Sequence, residues 1–229
     1  MSYSQPENAI NQQALKSKYE SEEIFHGIWK YKNVFTKEMD IVNRLETSIA
    51  ESNGLYNWQE AMVGDKEKVK SYRDCVDFKI KKLDIPDKDE HQLKYDQIWQ
   101  DCYDAQKIAV DNYSRKYNIK LDYWEATNFI RYGQDQHFQE HADHGWSYVA
   151  TTSLVGYLND DYEGGELYFG RFGLNIKPEA GDLYIFPSSY IYSHRAMPVK
   201  SGIKYSAVTM LDYNDWTHTP QFYNLVNGL

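Results

Sequence analysis

The apolar positions of this chain fall into two textures. Beyond residue 121 they come in short runs rich in Tyr, Phe, Val, Ile and Thr, at 127–132, 148–158, 166–172, 182–187 and 203–211, separated by Gly, Pro, Asn and Asp. That punctuation is the pattern of a β sandwich or barrel. Upstream, Thr36 stands as an N-cap before Met39, Val42, Leu45 and Ile49, which recur at helical spacing until Asn53-Gly54 ends the run. A charged turn at 84–90 around Pro86 precedes Leu93, Ile98 or Trp99, Cys102, Ala105, Ile108 and Ala109, a long amphipathic helix that should end near 113–117. Such a helix can lay its apolar stripe on one face of a sheet.

The remaining stretches are less regular. Residues 24–35 read as an early strand or two, and 55–82 as loops with a strand near 75–80. Residues 1–23 read as a loose arm, or as a helix at 9–19. The fold class is therefore mainly β with flanking helices (α+β). The chain divides into the arm (1–23), a helical and mixed support region (24–122), a β core (123–213) and a C-terminal tail (214–229).

A length of 229 residues allows one domain with a full core, and no segment is apolar enough to span a membrane. The first twenty residues hold no apolar run of signal-peptide length, which points to an intracellular, cytoplasmic protein. Cys75 and Cys102 are too few for a disulfide framework and read as packed, reduced thiols. A net charge of −9 argues against a nucleic-acid partner. The 21 tyrosines suit either strand packing or a cleft lined by rings with polar tips.

The candidate chemistry lies in the β half. His141 and Asp143 are two apart, so in an extended segment both side chains face the same way, and His194 follows fifty-one positions later. Two imidazoles and a carboxylate form the ligand set of a non-haem Fe(II) site that leaves part of the metal open. Lys204 lies ten positions further on, and alternation puts it on one face with Ser206. A second motif overlaps the first ligand. His137-Phe138-Gln139-Glu140-His141 spells H-x-x-E-H, the inverted zinc-protease signature, but that chemistry needs a helix, and Gly133 with β-rich surroundings argues against one. His144 should point away from the pair, and His26, His91 and His218 have no partner by spacing.

Tyr132, His141-Ala142-Asp143, Tyr157-Leu158-Asn159, Glu163-Gly164-Gly165-Glu166, Pro178-Glu179-Ala180-Gly181-Asp182, His194, Pro198-Val199 and Gly202-Ile203-Lys204 occur in the order and near the spacing of one family. Over residues 125–212 the chain resembles the Fe(II)/2-oxoglutarate dioxygenases, in their prolyl 4-hydroxylase-like branch. The resemblance implies a distorted jelly roll, or double-stranded β-helix, of cupin-like type. It implies His141, Asp143 and His194 as iron ligands, with 2-oxoglutarate and O₂ taking the open positions and ascorbate in support. It also implies that Lys204 pairs with the distal 2-oxoglutarate carboxylate, that the Tyr132 hydroxyl binds the same cosubstrate, and that Asp143 favours hydroxylation over halogenation. Gly164-Gly165 and Gly181-Asp182 read as turns.

The substrate implied is a proline-containing protein or peptide. Where many relatives carry an Arg and a Trp that contact it, this chain has Ala150 and Leu211, and Leu167 stands for a family Thr. Aromatic residues of the 55–82 loop, Tyr56, Trp58 and Tyr72, could stack on proline rings or simply pack beneath the loop. Two rivals stand beside this reading. The first keeps the cofactors with a free amino acid, another side chain or a nucleobase as substrate, although nucleobase dealkylases usually pair 2-oxoglutarate with Arg. The second is a binding module without turnover.

Overall fold

The computed structural model describes residues 17–227 apart from 64–66, 83 and 146–147, so most of the helix expected at 9–19 lies outside the described residues. A nine-stranded antiparallel sheet forms the back of the molecule. Its strands run in the spatial order Ser21–Phe25, Ile28–Tyr31, Leu183–Pro187, Thr152–Tyr157, Lys204–Asp212, Thr127–Tyr132, Val76–Ile80 and Gln59–Glu60, and Tyr123–Trp124 also pairs with Lys204–Asp212. A five-stranded sheet faces it in the order Leu174–Ile176, Leu167–Phe169, His194–Ala196, His137–His141 and Arg73–Asp74. The two sheets make the expected jelly-roll core.

The central strands are buried on both faces, so their sequences read as nearly continuous apolar runs. Along Lys204–Asp212, Ala207 and Leu211 face outward and join a cluster with Leu45, Ile98, Cys102, Phe129, Leu154 and Leu183 under the helices. Alternation turns Lys204, Ser206, Val208 and Met210 inward, where all four line one cavity. Gly156 lies on the outward side of Thr152–Tyr157. A Cβ there would sit 2.2 Å from the Phe35 ring, so only glycine leaves room for that ring against the strand.

Helix α1 (Ile41–Glu51) begins later than its apolar spacing suggests. Thr36 occupies the N-cap position of a 3-10 turn at Lys37–Met39 without a side-chain capping bond, Asp40 takes a left-handed conformation (φ 46°), and the buried face of the helix starts at Ile41 rather than Val42. Helix α2 (Glu90–Tyr117) carries a capping box between Asp89 and Gln92 and ends on left-handed Asn118. His91, Tyr95, Ile98, Cys102, Ala109 and Tyr113 form its buried stripe, whereas Leu93 is exposed because it falls between His91 and Tyr95 on the opposite face of the helix. The support region also supplies strands to both sheets. Arg73–Asp74 pairs in the small sheet and Val76–Ile80 in the large one, so the chain crosses between sheets at buried Cys75. A 3-10 turn (Trp216–His218) and helix α3 (Pro220–Asn227) follow the last strand.

Candidate metal and cosubstrate site

His141 ends the strand His137–His141, and antiparallel pairing sets it directly opposite His194, the first residue of its own strand. The two rings lie 4.5 Å apart, centroid to centroid. Asp143, two residues beyond the strand end, completes the group. Its Oδ1 is 3.5 Å from Nε2 of His141 and its Oδ2 3.7 Å from Nε2 of His194. One ligand atom from each residue lies within 4.8 Å of the others.

Both imidazoles are oriented by their own chain. Nδ1 of His141 faces the Gln139 carbonyl at 2.8 Å and Nδ1 of His194 the Tyr192 carbonyl at 3.1 Å. A carbonyl only accepts, so each Nδ1 carries a proton, and in the neutral imidazole the lone pair is then on Nε2, which points to the centre of the group. Phe138 stacks on His141 at 3.6 Å, and Phe169 and Phe186 flank His194. Burial depresses the His194 pKa to about 4, although Asp143 opposes the shift, so this imidazole is neutral at neutral pH. Burial pushes Asp143 upward, but the imidazoles of His194 and His141 and the Ser153 hydroxyl outweigh it and hold the carboxyl at about 2. Two free imidazole nitrogens beside an ionised carboxylate fit a divalent transition metal.

The other end of the cavity is built around Lys204, which pairs across the strands with Tyr132. Its Nζ donates to the Gly165 carbonyl at 2.6 Å and lies 5.0 Å from the Tyr132 ring centroid and 5.1 Å from that of Tyr157. Among the described residues no carboxylate oxygen lies within ion-pair distance of it. Burial therefore pulls its pKa down to about 7, with the more distant Glu166 opposing. The paired glycines do more than turn. Glu163–Gly164 forms a short ladder with Val199–Ser201, and a Cβ on Gly165 (φ 66°) would come within 3.0 Å of Cδ of Lys204. Glycine is what lets that carbonyl reach the ammonium. Ser206, buried on the same face, sits opposite Ile130 and Tyr157.

One cavity of about 540 Å³ joins the triad, Tyr132, Lys204 and Ser206. Of the three loop aromatics only Tyr72 reaches it, edge-on to Phe138 and donating to the Glu140 carbonyl at 3.1 Å. Tyr56 and Trp58 are claimed by packing instead. Tyr56 contacts Tyr95 and His91 of α2, and Trp58 lies against Phe78 and Tyr205 with its indole N–H on Glu46. Ala150 and Leu211 are both buried and neither lines the cavity, because Leu211 faces the helices. Arg73, from the support region, is a cation that does line it.

The H-x-x-E-H segment is a strand, so His137 and His141 stand about 13 Å apart along it rather than one helical turn. His144 turns away as expected, its ring on the Ala150 carbonyl. His218 does have a partner. Its ring stacks on Tyr123 and its Nε2 faces Asp212 at 3.2 Å, a pairing the 3-10 turn creates. Spacing gave no signal for Ser153, which donates to Oδ2 of Asp143 at 2.6 Å.

Residues 127–211 match the model of the 2OG-Fe(II) oxygenase superfamily. The chain is 29% identical over 123 residues to a protein of Acanthamoeba polyphaga mimivirus provisionally named a prolyl 4-hydroxylase. That match covers 44% of this chain and 50% of the relative, so the chain spans about half the length of the curated relative it matches. In fold it is similar to a prolyl hydroxylase from Trichoplax adhaerens, solved with a peptide fragment of the hypoxia inducible factor oxygen degradation domain. The TM-score is 0.64 at 14% identity, over 82% of this chain and 84% of that one. A Pseudomonas putida prolyl-4-hydroxylase matches with a TM-score of 0.58 at 18% identity, over 82% and 93% of the two chains. Among the described residues no helix is long and apolar enough to cross a membrane.

Proposed function

We propose that this protein is a 2OG-Fe(II) oxygenase of the prolyl 4-hydroxylase-like kind that hydroxylates a prolyl residue of a protein or peptide; the match of residues 127–211 to the superfamily model and the likeness to the mimivirus protein support the reading. Fe(II) and 2-oxoglutarate are consumed or held as cofactors, ascorbate supports turnover, and succinate and CO₂ are the coproducts. The observation that carries the reading is one cavity with a His-Asp-His group at one end and, at the other, a buried ammonium that has no carboxylate partner among the described residues. A buried charge without a counter-charge is costly, and a dicarboxylate spanning the cavity would supply one.

In this reading His141, Asp143 and His194 hold iron, which when bound supplies the activation of dioxygen with 2-oxoglutarate as co-reductant. Lys204 binds the distal carboxylate of the cosubstrate. Tyr132 and Ser206, on the same inward face, fix its direction and bind it with their hydroxyls. Val155, Leu167 and Val208 line the cavity with apolar surface, which excludes water around that pair and strengthens it. Tyr72 and Phe138 form a wall near His141 on which a proline ring can lie.

The test is succinate formation by purified protein supplied with Fe(II), 2-oxoglutarate and ascorbate, against a broad panel of proline-containing peptides. Stimulation above the peptide-free rate, with one oxygen gained on proline, is the expected result. Stimulation by a free amino acid and by none of the peptides transfers the assignment to a small-molecule substrate. Absence of any 2-oxoglutarate turnover leaves a binding module.

A further inference from the structure

We infer that Ser188 and Ser153 form a directional hydroxyl relay whose task is to hold the Asp143 carboxylate so that one oxygen, Oδ1, is left for the metal. The inference rests on the reading of His141, Asp143 and His194 as a metal site. Ser153 lies on the inward face of Thr152–Tyr157 and is fully buried, and its hydroxyl donates to Oδ2 of Asp143 at 2.6 Å. The same hydroxyl lies 2.7 Å from that of Ser188, which is 1% exposed.

A hydroxyl has one proton to give. The ionised carboxylate can only accept, so the Ser153 proton is committed to Asp143, and Ser188 must be the donor in the second bond. The order is Ser188 to Ser153 to Asp143. The main chain at Ser188 controls the same turn. Its carbonyl accepts the His144 N–H at 2.9 Å, and its own N–H donates to the Thr151 carbonyl at 3.0 Å. One residue thus fixes both the backbone just after Asp143 and, through Ser153, the rotation of its carboxylate.

The consequence is chemical. With Oδ2 already accepting the Ser153 hydroxyl, Asp143 is set to give Oδ1 to an ion, and both oxygens turning to the metal would use a position that the cosubstrate and dioxygen need. Ser153 and Ser188 are positioning residues in this account, since neither touches the metal.

The experiment is Co(II) binding to the metal-free full chain, read by titration and by the ligand-field absorption of the bound ion, with apoprotein melting measured beside it. Ser153→Ala should lose about tenfold or more in Co(II) affinity, the range seen when an outer hydrogen bond to a ligand is removed. Its absorption should shift in intensity as the coordination number changes, while the apoprotein still melts cooperatively. Ser188→Ala should show a smaller loss in the same direction. In an Asp143→Ala background, Ser153→Ala should add nothing, because its partner is gone.

Wild-type-like affinity and spectrum in Ser153→Ala overturn the relay while leaving the metal site standing, and so does an equal loss in the Asp143→Ala background. A wild-type protein that binds no Co(II) overturns both. Where Ser153→Ala fails to fold, Ser188→Ala decides alone, and an unchanged affinity there rejects the relay.

Discussion

Lys204 gives the sharpest prediction, because its burial should cost the empty protein stability that a ligand restores. Replacing it by Met keeps the stem and removes the charge. A fall from 10.5 in the unfolded chain to about 7 in the folded one corresponds to about 5 kcal/mol. Between those two values the unfolded chain binds the extra proton, so stability rises with pH there, and the penalty is fully present below about pH 7. Removing the ammonium leaves the Gly165 carbonyl without its donor, which costs about 1–3 kcal/mol. Lys204→Met should therefore be more stable than wild type by about 2–4 kcal/mol near pH 6, and that advantage should disappear by about pH 10. Urea unfolding of both proteins across this range measures it, since other groups cancel in the difference. In parallel, 2-oxoglutarate should raise the melting temperature of wild type and leave Lys204→Met unmoved. The wild-type affinity for 2-oxoglutarate should weaken above about pH 7, by up to about tenfold per pH unit, because the free protein then has to take up a proton. A variant that is less stable at about pH 6, or a difference that does not change with pH, would falsify the account of Lys204 as an uncompensated buried cation.

Three further outcomes are expected. His141→Ala, Asp143→Ala and His194→Ala should each abolish Fe(II)-dependent succinate formation while keeping the wild-type circular dichroism, and a chelator should inactivate wild type reversibly; retained activity removes that residue from the ligand set. Tyr72→Ala should weaken peptide use more than 2-oxoglutarate use, whereas Tyr56→Ala should lower stability and leave the kinetics of the folded protein alone, because only Tyr72 lines the cavity. Gly156→Ala should destabilise by about 1–3 kcal/mol or more by driving a methyl into the Phe35 ring, and unchanged urea unfolding would refute that packing.

The β core was legible because burial on both faces concentrates Tyr, Phe, Val, Ile and Thr into the runs that become Thr127–Tyr132, Thr152–Tyr157, Leu183–Pro187 and Lys204–Asp212. The strands that carry the histidines were not. His137–His141 and His194–Ala196 are short and spend their side chains on polar contacts and on the triad, so no apolar alternation marks them. The histidine and aspartate set was visible by residue type and spacing, whereas Ser153 and Ser188 act across strands thirty-five positions apart, a separation that carries no local signal. Trp58 shows the same limit from the other side. Its aromatic ring suited a proline groove by composition, but the contacts with Phe78, Tyr205 and Arg131 that claim it come from distant parts of the chain.

The strand Lys204–Asp212 shows how the core sets the chemistry. Its outward residues, Ala207, Thr209 and Leu211, are fixed by the helices and by the Thr127–Thr209 hydroxyl contact at 3.0 Å. Once they are seated, period-two alternation leaves Lys204 and Ser206 no direction but inward, and a slip of one residue would turn the ammonium toward α2. The same logic runs through the neighbouring strand, where Leu154 and Gly156 meet the helix side and Phe35 while Ser153 faces Asp143. Packing on one face therefore holds the relay and the cation on the other, which is why an apolar contact as remote as Phe35 on Gly156 bears on the placement of a carboxylate that it never touches.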